Sequence, residues 1–268
     1  MENKLNVSVI LPVESSKHKN FLELFTNAVT SVMNQTVEVN ELVVVHSDEE
    51  GLKSIINDFD FSGLTVNLVE NTGDTDFASQ MNLGVKNANS EWVSFLEFDD
   101  EFASIWFKNV KRYIDAYPEF EGFLSLVIDV DEKGTFAGFT NEATFAASMN
   151  TEIGILTNEV LLNYQNFQSS GMVIKKSTYE NLGGFKPSIR LTFVYEFLLR
   201  LTYNSANIMT IPRIGYKHMN LREGSIFWNY KNGEQRVTDD EVRFWLESAK
   251  KEHFFVDDRN IKYEPTNV

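Results

Sequence analysis

The chain has no cysteine, so disulfide staples, thiolate zinc sites, iron–sulfur clusters and a cysteine nucleophile are all excluded. Its 268 residues include only 5 Pro and 14 Gly, which rules out collagen-like and low-complexity chains. No apolar run approaches the ~18 residues that span a bilayer. The start, Met1-Glu2-Asn3-Lys4, lacks a basic stretch followed by an apolar one, so no signal peptide is expected and a cytoplasmic protein is. Neither a GxGxxG nor a P-loop pattern occurs, so dinucleotide and NTPase readings lack their usual phosphate cradle.

Positive charge is also scarce, and unevenly so. The formal net charge is −15. Residues 1–105 hold 5 basic against 18 acidic side chains, and the first arginine is Arg112. Residues 106–225 hold 12 of each. Phosphate neutralisation needs clustered Lys and Arg, so no nucleic-acid partner is expected, and an anionic membrane surface is disfavoured for the same reason.

What is present is core material arranged in alternating periods. LNVSVILPV (5–13) and ELVVV (41–45) read as buried strands, LTVNLV (64–69) as a third and EWVSFLEF (91–98) as a fourth. Between them, 20–34, 51–59 and 76–88 carry apolar residues at helical spacing. Strand–helix–strand repeated over 100 residues implies a mainly parallel sheet with right-handed crossovers. Further on, 104–117, 176–182 and 193–204 read as helices, and 122–130, 171–175 and 207–212 as strands. Residues 135–170, rich in Thr, Asn, Ser and Phe, follow no clear period. Thr238 followed by Asp239-Asp240-Glu241 predicts a helix start, with the helix running to about His253.

Open α/β sheets bind ligands at the carboxyl ends of their strands. Three such ends here are polar: Glu14-Ser15-Ser16, His46-Ser47-Asp48 and Glu97-Phe98-Asp99-Asp100. Carboxylates crowded at a strand end repel one another unless a cation or solvent relieves them, and oxygen ligands suit Mg2+ or Mn2+. An acidic, solvated loop is the plainer alternative. The four histidines are scattered without an HxxxH or HxH pair, so a histidine-based metal site is not expected. Lys217, His218 and Arg222 fall within six residues and could hold a diphosphate, or could be an ordinary polar loop.

Taken in order, these segments resemble the family-two glycosyltransferases of the GT-A fold from about residue 7 to 225. VSVILPV resembles the family's first strand, and FLELFTNAVTSVMNQTV with ELVVV its first helix and second strand. Asn71-Thr72-Gly73 with Met81-Asn82-Leu83-Gly84 resembles the N-x-G … R-N-x-G segment. WVSFLEFDDEF resembles the strand ending in the DxD motif, and GMVIKKSTYENLGGF the acceptor-side segment. FLLRLTYNSANIMTIPRIGYKH resembles the helix and strand that follow.

The resemblance implies transfer of a sugar, with inversion, from a nucleotide-diphosphate sugar to a hydroxyl of a glycan, lipid or protein, helped by Mn2+ or Mg2+. It places Asp99 and Asp100 on the metal. Pro12, Glu14, Ser47, Asp48, Asn82, Glu97, Lys217, His218 and Arg222 fall in the donor-binding region. It divides the chain into a nucleotide-sugar half (1–105), an acceptor half (106–225) and a C-terminal helical extension (226–268), the last a candidate surface for a second copy or an assembly partner. Three positions depart from the pattern. The acidic pair that supplies the family's base in E-D-x-D-L-W-x-R-L is here Phe193-Val194, leaving Glu196 as the candidate base. The Arg of R-N-x-G is Met81, and the first DxD acid is Glu97. These losses keep a second expectation open: a GT-A-fold binding or structural subunit without transferase activity.

Overall fold

The computed structural model describes residues 4–142, 154–220, 222–223, 225–233 and 236–264, without the side chains of Ile226 and Phe227. The first half alternates as the apolar periods require: β1 (Lys4–Val13), α1 (Phe21–Met33), β2 (Glu38–His46), α2 (Glu50–Asp58), β3 (Val66–Glu70), α3 (Phe77–Asn87) and β4 (Trp92–Phe95). Then come the two-residue β5 (Glu101–Phe102), α4 (Trp106–Ala116), β6 (Gly122–Val130) and β7 (Phe136–Thr140). The second half continues with β8 (Gly154–Leu156), α5 (Asn158–Asn163), β9 (Val173–Lys175), α6 (Lys176–Asn181), α7 (Phe193–Tyr203), β10 (Ile208–Met219), α8 (Ile226–Asn232) and α9 (Asp239–Glu252).

One sheet runs through both halves in the order β3-β2-β1-β4-β9-β6-β10-β5, with β7 on β6 and β8 on β10. β1, β2, β3 and β4 pair in parallel, as do β6 and β10, while β9 runs antiparallel to both β4 and β6. Helices cover both faces, which is why β1 and β2 read as unbroken apolar runs. Alternation along the strands divides their side chains between two cores. Val9, Leu11, Val13, Leu42 and Val44 join α1, α2 and α4 on one face, and Ile10, Val43 and Val45 join α3 and α7 on the other.

The order 3-2-1-4 reverses direction between β1 and β4, and at such a reversal the flanking crossovers leave a crevice beyond the strand ends. The acidic run of residues 97–101 begins two residues after β4, so the topology delivers it to that crevice. Two features were not foreseen. β10 extends through Met219 rather than ending at Pro212, because the isolated apolar signal stops where the strand begins to face the crevice. The period-free stretch contains β7, β8 and α5, while residues 143–153 within it lie outside the described residues.

The C-terminal helix begins where expected. The Thr238 hydroxyl accepts from the Glu241 N–H at 3.2 Å, and the three acids of the first turn suit the helix dipole. Among the described residues, no helix is long and apolar enough to cross a membrane.

Candidate functional site

After β4 the chain turns and returns as β5, which pairs antiparallel with β10. This brings three consecutive acids against three cations in reverse order. Arg222 Nε donates to Asp99 Oδ2 at 2.6 Å, and His218 Nδ1 lies 2.9 Å from Asp100 Oδ2. Lys217 pairs with Glu101, its partner in the strand register. The Asp100 carboxylate also accepts the Met219 N–H at 2.7 Å. Side chains of neighbouring strand residues point to opposite faces, so Lys217 and His218 cannot serve one site together. Lys217, expected at the donor, is instead committed to Glu101 and half-exposed on the other side.

Glu97 has no cation of its own. Its backbone N–H is held by the Tyr216 hydroxyl at 3.0 Å, and its Oε1 lies 3.5 Å from the Ser170 hydroxyl. Burial pushes its carboxyl up to about 8, and the neighbouring Asp100 charge adds to the effect. Burial also raises Asp99, with Asp100 adding to it against the pull of Arg222. Burial by itself would lower the His218 imidazole, but the charge and hydrogen bond of Asp100 outweigh it and raise His218 to about 10.

Ligand atoms of Glu97, Asp100 and His218 all lie within 4.8 Å of one another. Two carboxylates and an imidazole this close together could hold a divalent cation with mixed oxygen and nitrogen preference. The carboxylate expected to bind metal at Asp99 is turned away into the Arg222 pair, and Glu97 and His218, expected on the donor, complete the group instead. Phe98, between them, is stacked on His18 at 5.0 Å and covered by the Arg222 guanidinium at 5.0 Å. Lys19 and Glu223 add an ion pair between the same two loops at 3.7 Å.

The sequence profile described as Glycosyl transferase family 2 matches residues 8–152, just over half of the chain. The chain belongs to glycosyl transferase family 2. Comparison with curated protein sequences finds no significant match. Among solved structures, S. aureus TarS 1-349 superposes with a TM-score of 0.60 at 19% identity, covering 80% of this chain and 60% of TarS 1-349. Its complex with UDP-GlcNAc gives a TM-score of 0.65 at 18% identity, over 91% of this chain and 65% of the other, and its UDP complex 0.63 at 17%, over 90% and 78%. This family 2 chain thus spans about 60% of the first of these structures, and at such identities the likeness is one of GT-A fold.

In this glycosyl transferase family 2 chain, the remaining expected residues fall into two groups. Pro12, Glu14, Ser47 and Asp48 lie at the carboxyl ends of β1 and β2, with Pro12 buried, Ser47 half-buried and Glu14 and Asp48 exposed. Glu49, which sequence reasoning passed over, accepts the Ser15 hydroxyl at 2.7 Å and also that of Ser16, tying the two loops together. The other group is structural. Asn82 donates to the Phe185 carbonyl at 2.7 Å, and its oxygen accepts the Tyr179 hydroxyl at 2.6 Å and the Phe185 N–H at 3.0 Å. Its oxygen and one of its two amide hydrogens are spent on holding the Gly-Gly-Phe turn. Gly183 and Gly184 both take positive φ (77° and 63°), and a Cβ on Gly184 would stand 2.5 Å from the Asn82 oxygen.

Glu196 is the clearest correction. It is fully buried, and both oxygens are engaged: Arg200 donates to them at 3.0 and 2.8 Å, and Lys186 Nζ lies 3.0 Å from Oε1. A carboxylate with no exposed oxygen cannot collect a proton from an outside acceptor. The signal was in the sequence: Glu196 and Arg200 are four apart on a helix, the spacing of an ion pair. Phe193, where the family's acidic pair would stand, packs its ring 5.2 Å from Phe185 and 5.9 Å from Phe77. Sequence reasoning also missed Tyr216, because nothing in a strand pattern says that a hydroxyl will reach a backbone amide 119 residues away.

Proposed function

We propose that this chain transfers a sugar from a nucleotide-diphosphate sugar to an acceptor hydroxyl, with inversion and with the help of a divalent cation. The observation that carries the reading is the Glu97, Asp100 and His218 group at the reversal point of a GT-A sheet. Those three residues would hold the ion, and the imidazole in the set favours Mn2+ over Mg2+. When bound, the cation supplies charge neutralisation for the departing diphosphate. Arg222 stands at the same mouth and adds a second positive group once it leaves Asp99 for a diphosphate. The Glu14, Ser15, Ser47 and Asp48 loops line the crevice that a nucleoside would enter. Donor binding falls in residues 1–105 completed by His218 and Arg222, acceptor binding falls in the rest of 106–225, and the work is done in the cytoplasm.

A second reading is a nucleotide-sugar-binding subunit that does not transfer. It is favoured by one observation: the place of the acidic pair is filled by Phe193 and Val194, and Glu196 is sealed. The two readings separate in one experiment. Since the TarS complexes contain UDP and UDP-GlcNAc, those ligands are titrated calorimetrically with and without Mn2+, and UDP release from UDP-GlcNAc is followed. Mn2+-dependent binding with UDP release supports the transferase. Binding without release, across a panel of hydroxyl acceptors, supports the subunit. No binding of either ligand, with Asp100→Asn behaving like the parent, overturns both.

A further inference from the structure

Every second residue of the stretch 186–192 reaches into the C-terminal segment. Lys186 Nζ donates to the carbonyls of Glu252 and Phe255 at 2.8 and 2.7 Å. The Ser188 N–H donates to Asp258 Oδ2 at 2.9 Å, and the Ser188 hydroxyl to the other oxygen. Arg190 lies 3.7 Å from Glu241, and the Thr192 hydroxyl donates to the Trp245 carbonyl at 2.8 Å. Between them Ile189 is fully buried. A Cβ on Gly183 would meet the Val256 carbonyl at 2.7 Å. On its other side, the stretch is tied to α3 of the donor half by the two Asn82 bonds to Phe185.

The charges favour this docking. Lys186 and Arg200 are two buried cations sharing one carboxylate, Glu196. The surplus positive charge is met by carbonyls: Gly184 at 2.7 Å and Leu182 for Arg200, and the end of α9 for Lys186. A helix C-terminus carries partial negative charge, so it is a fitting partner for a buried ammonium. Withdrawn from α9, Lys186 would lose both carbonyls and keep only a shared carboxylate.

We propose that residues 239–258 are a positioning element for the acceptor-side stretch 183–192, with Lys186 as the positioning residue that couples them. Its catalytic consequence rests on the transferase reading above; its structural arm does not. The test is Lys186→Met, which leaves Glu196 and Arg200 as a neutral pair and keeps most of the unbranched side chain. Amide hydrogen exchange should quicken at least tenfold in both 250–258 and 183–192 and stay unchanged in 92–102. UDP affinity with Mn2+ should stay within twofold of the parent, while kcat for UDP release from UDP-GlcNAc falls at least tenfold at unchanged KM. Asp258→Ala, at the less buried end of the contact, should quicken the same two stretches to a smaller degree and serves if the first variant does not fold. Faster exchange confined to 250–258, or an unchanged kcat, overturns the proposal. If the parent itself releases no UDP, the transferase reading fails and the exchange pattern alone decides the coupling.

Discussion

His218 Nδ1 lies 2.9 Å from Asp100 Oδ2, although 118 positions separate the two residues in the chain. The pair exists because β5 folds back onto β10, and it turns an acidic run into a set of matched charges with Glu97 left over. Both Asp99 and Asp100 are paired, and they differ in the partner: an imidazole can give up its proton and a guanidinium cannot.

Substitution distinguishes the two assignments. Glu97→Gln, Asp100→Asn and His218→Ala should each weaken Mn2+ binding at least tenfold in calorimetric titration. Asp99→Asn should leave Mn2+ affinity within about twofold, since its carboxylate faces Arg222. Loss of Mn2+ binding on Asp99→Asn alone would restore the sequence-based assignment.

Mn2+ affinity should rise with pH. In the absence of a cation, Glu97 is raised to about 8 and His218 to about 10, so both carry a proton at pH 7. Ligation needs the carboxylate and the neutral imidazole, so binding at pH 7 releases protons. Proton release is read from the enthalpies measured in two buffers of different ionisation enthalpy. An affinity flat between pH 6.5 and 8.5 would contradict the grouping.

Glu196→Gln should behave as a core mutation. It leaves Lys186 and Arg200 buried without a counter-charge, and breaking such a pair costs about 3–5 kcal/mol. Denaturant unfolding is expected to show this loss, with Lys186→Met milder because it removes the surplus charge. A Glu196→Gln protein as stable as the parent but without turnover would return Glu196 to the role of base.

Gly84→Ala should destabilise by about 1–3 kcal/mol, although alanine favours helix. A Cβ at Gly84 would stand 2.3 Å from Ile10 Cγ2 and 3.0 Å from Val45 Cγ2, where α3 lies against β1 and β2. A melting temperature equal to the parent's would show that α3 can lift away freely.

The sequence by itself determined the α/β alternation, the parallel strands of the first half, the strand end that carries the acids and the family resemblance. These follow from periods of two and 3.6 residues and from short motifs, all of them local properties. Even the Glu196–Arg200 pair was legible as helical spacing. What only the tertiary structure decided is partnership. It paired Arg222 with Asp99, His218 with Asp100 and Lys217 with Glu101, spent Asn82 on Phe185, and sealed Glu196 beneath Lys186 and the end of α9. Charged and amide groups act over a few ångströms, and which of them come that close depends on strand register and helix docking between residues tens to more than a hundred positions apart.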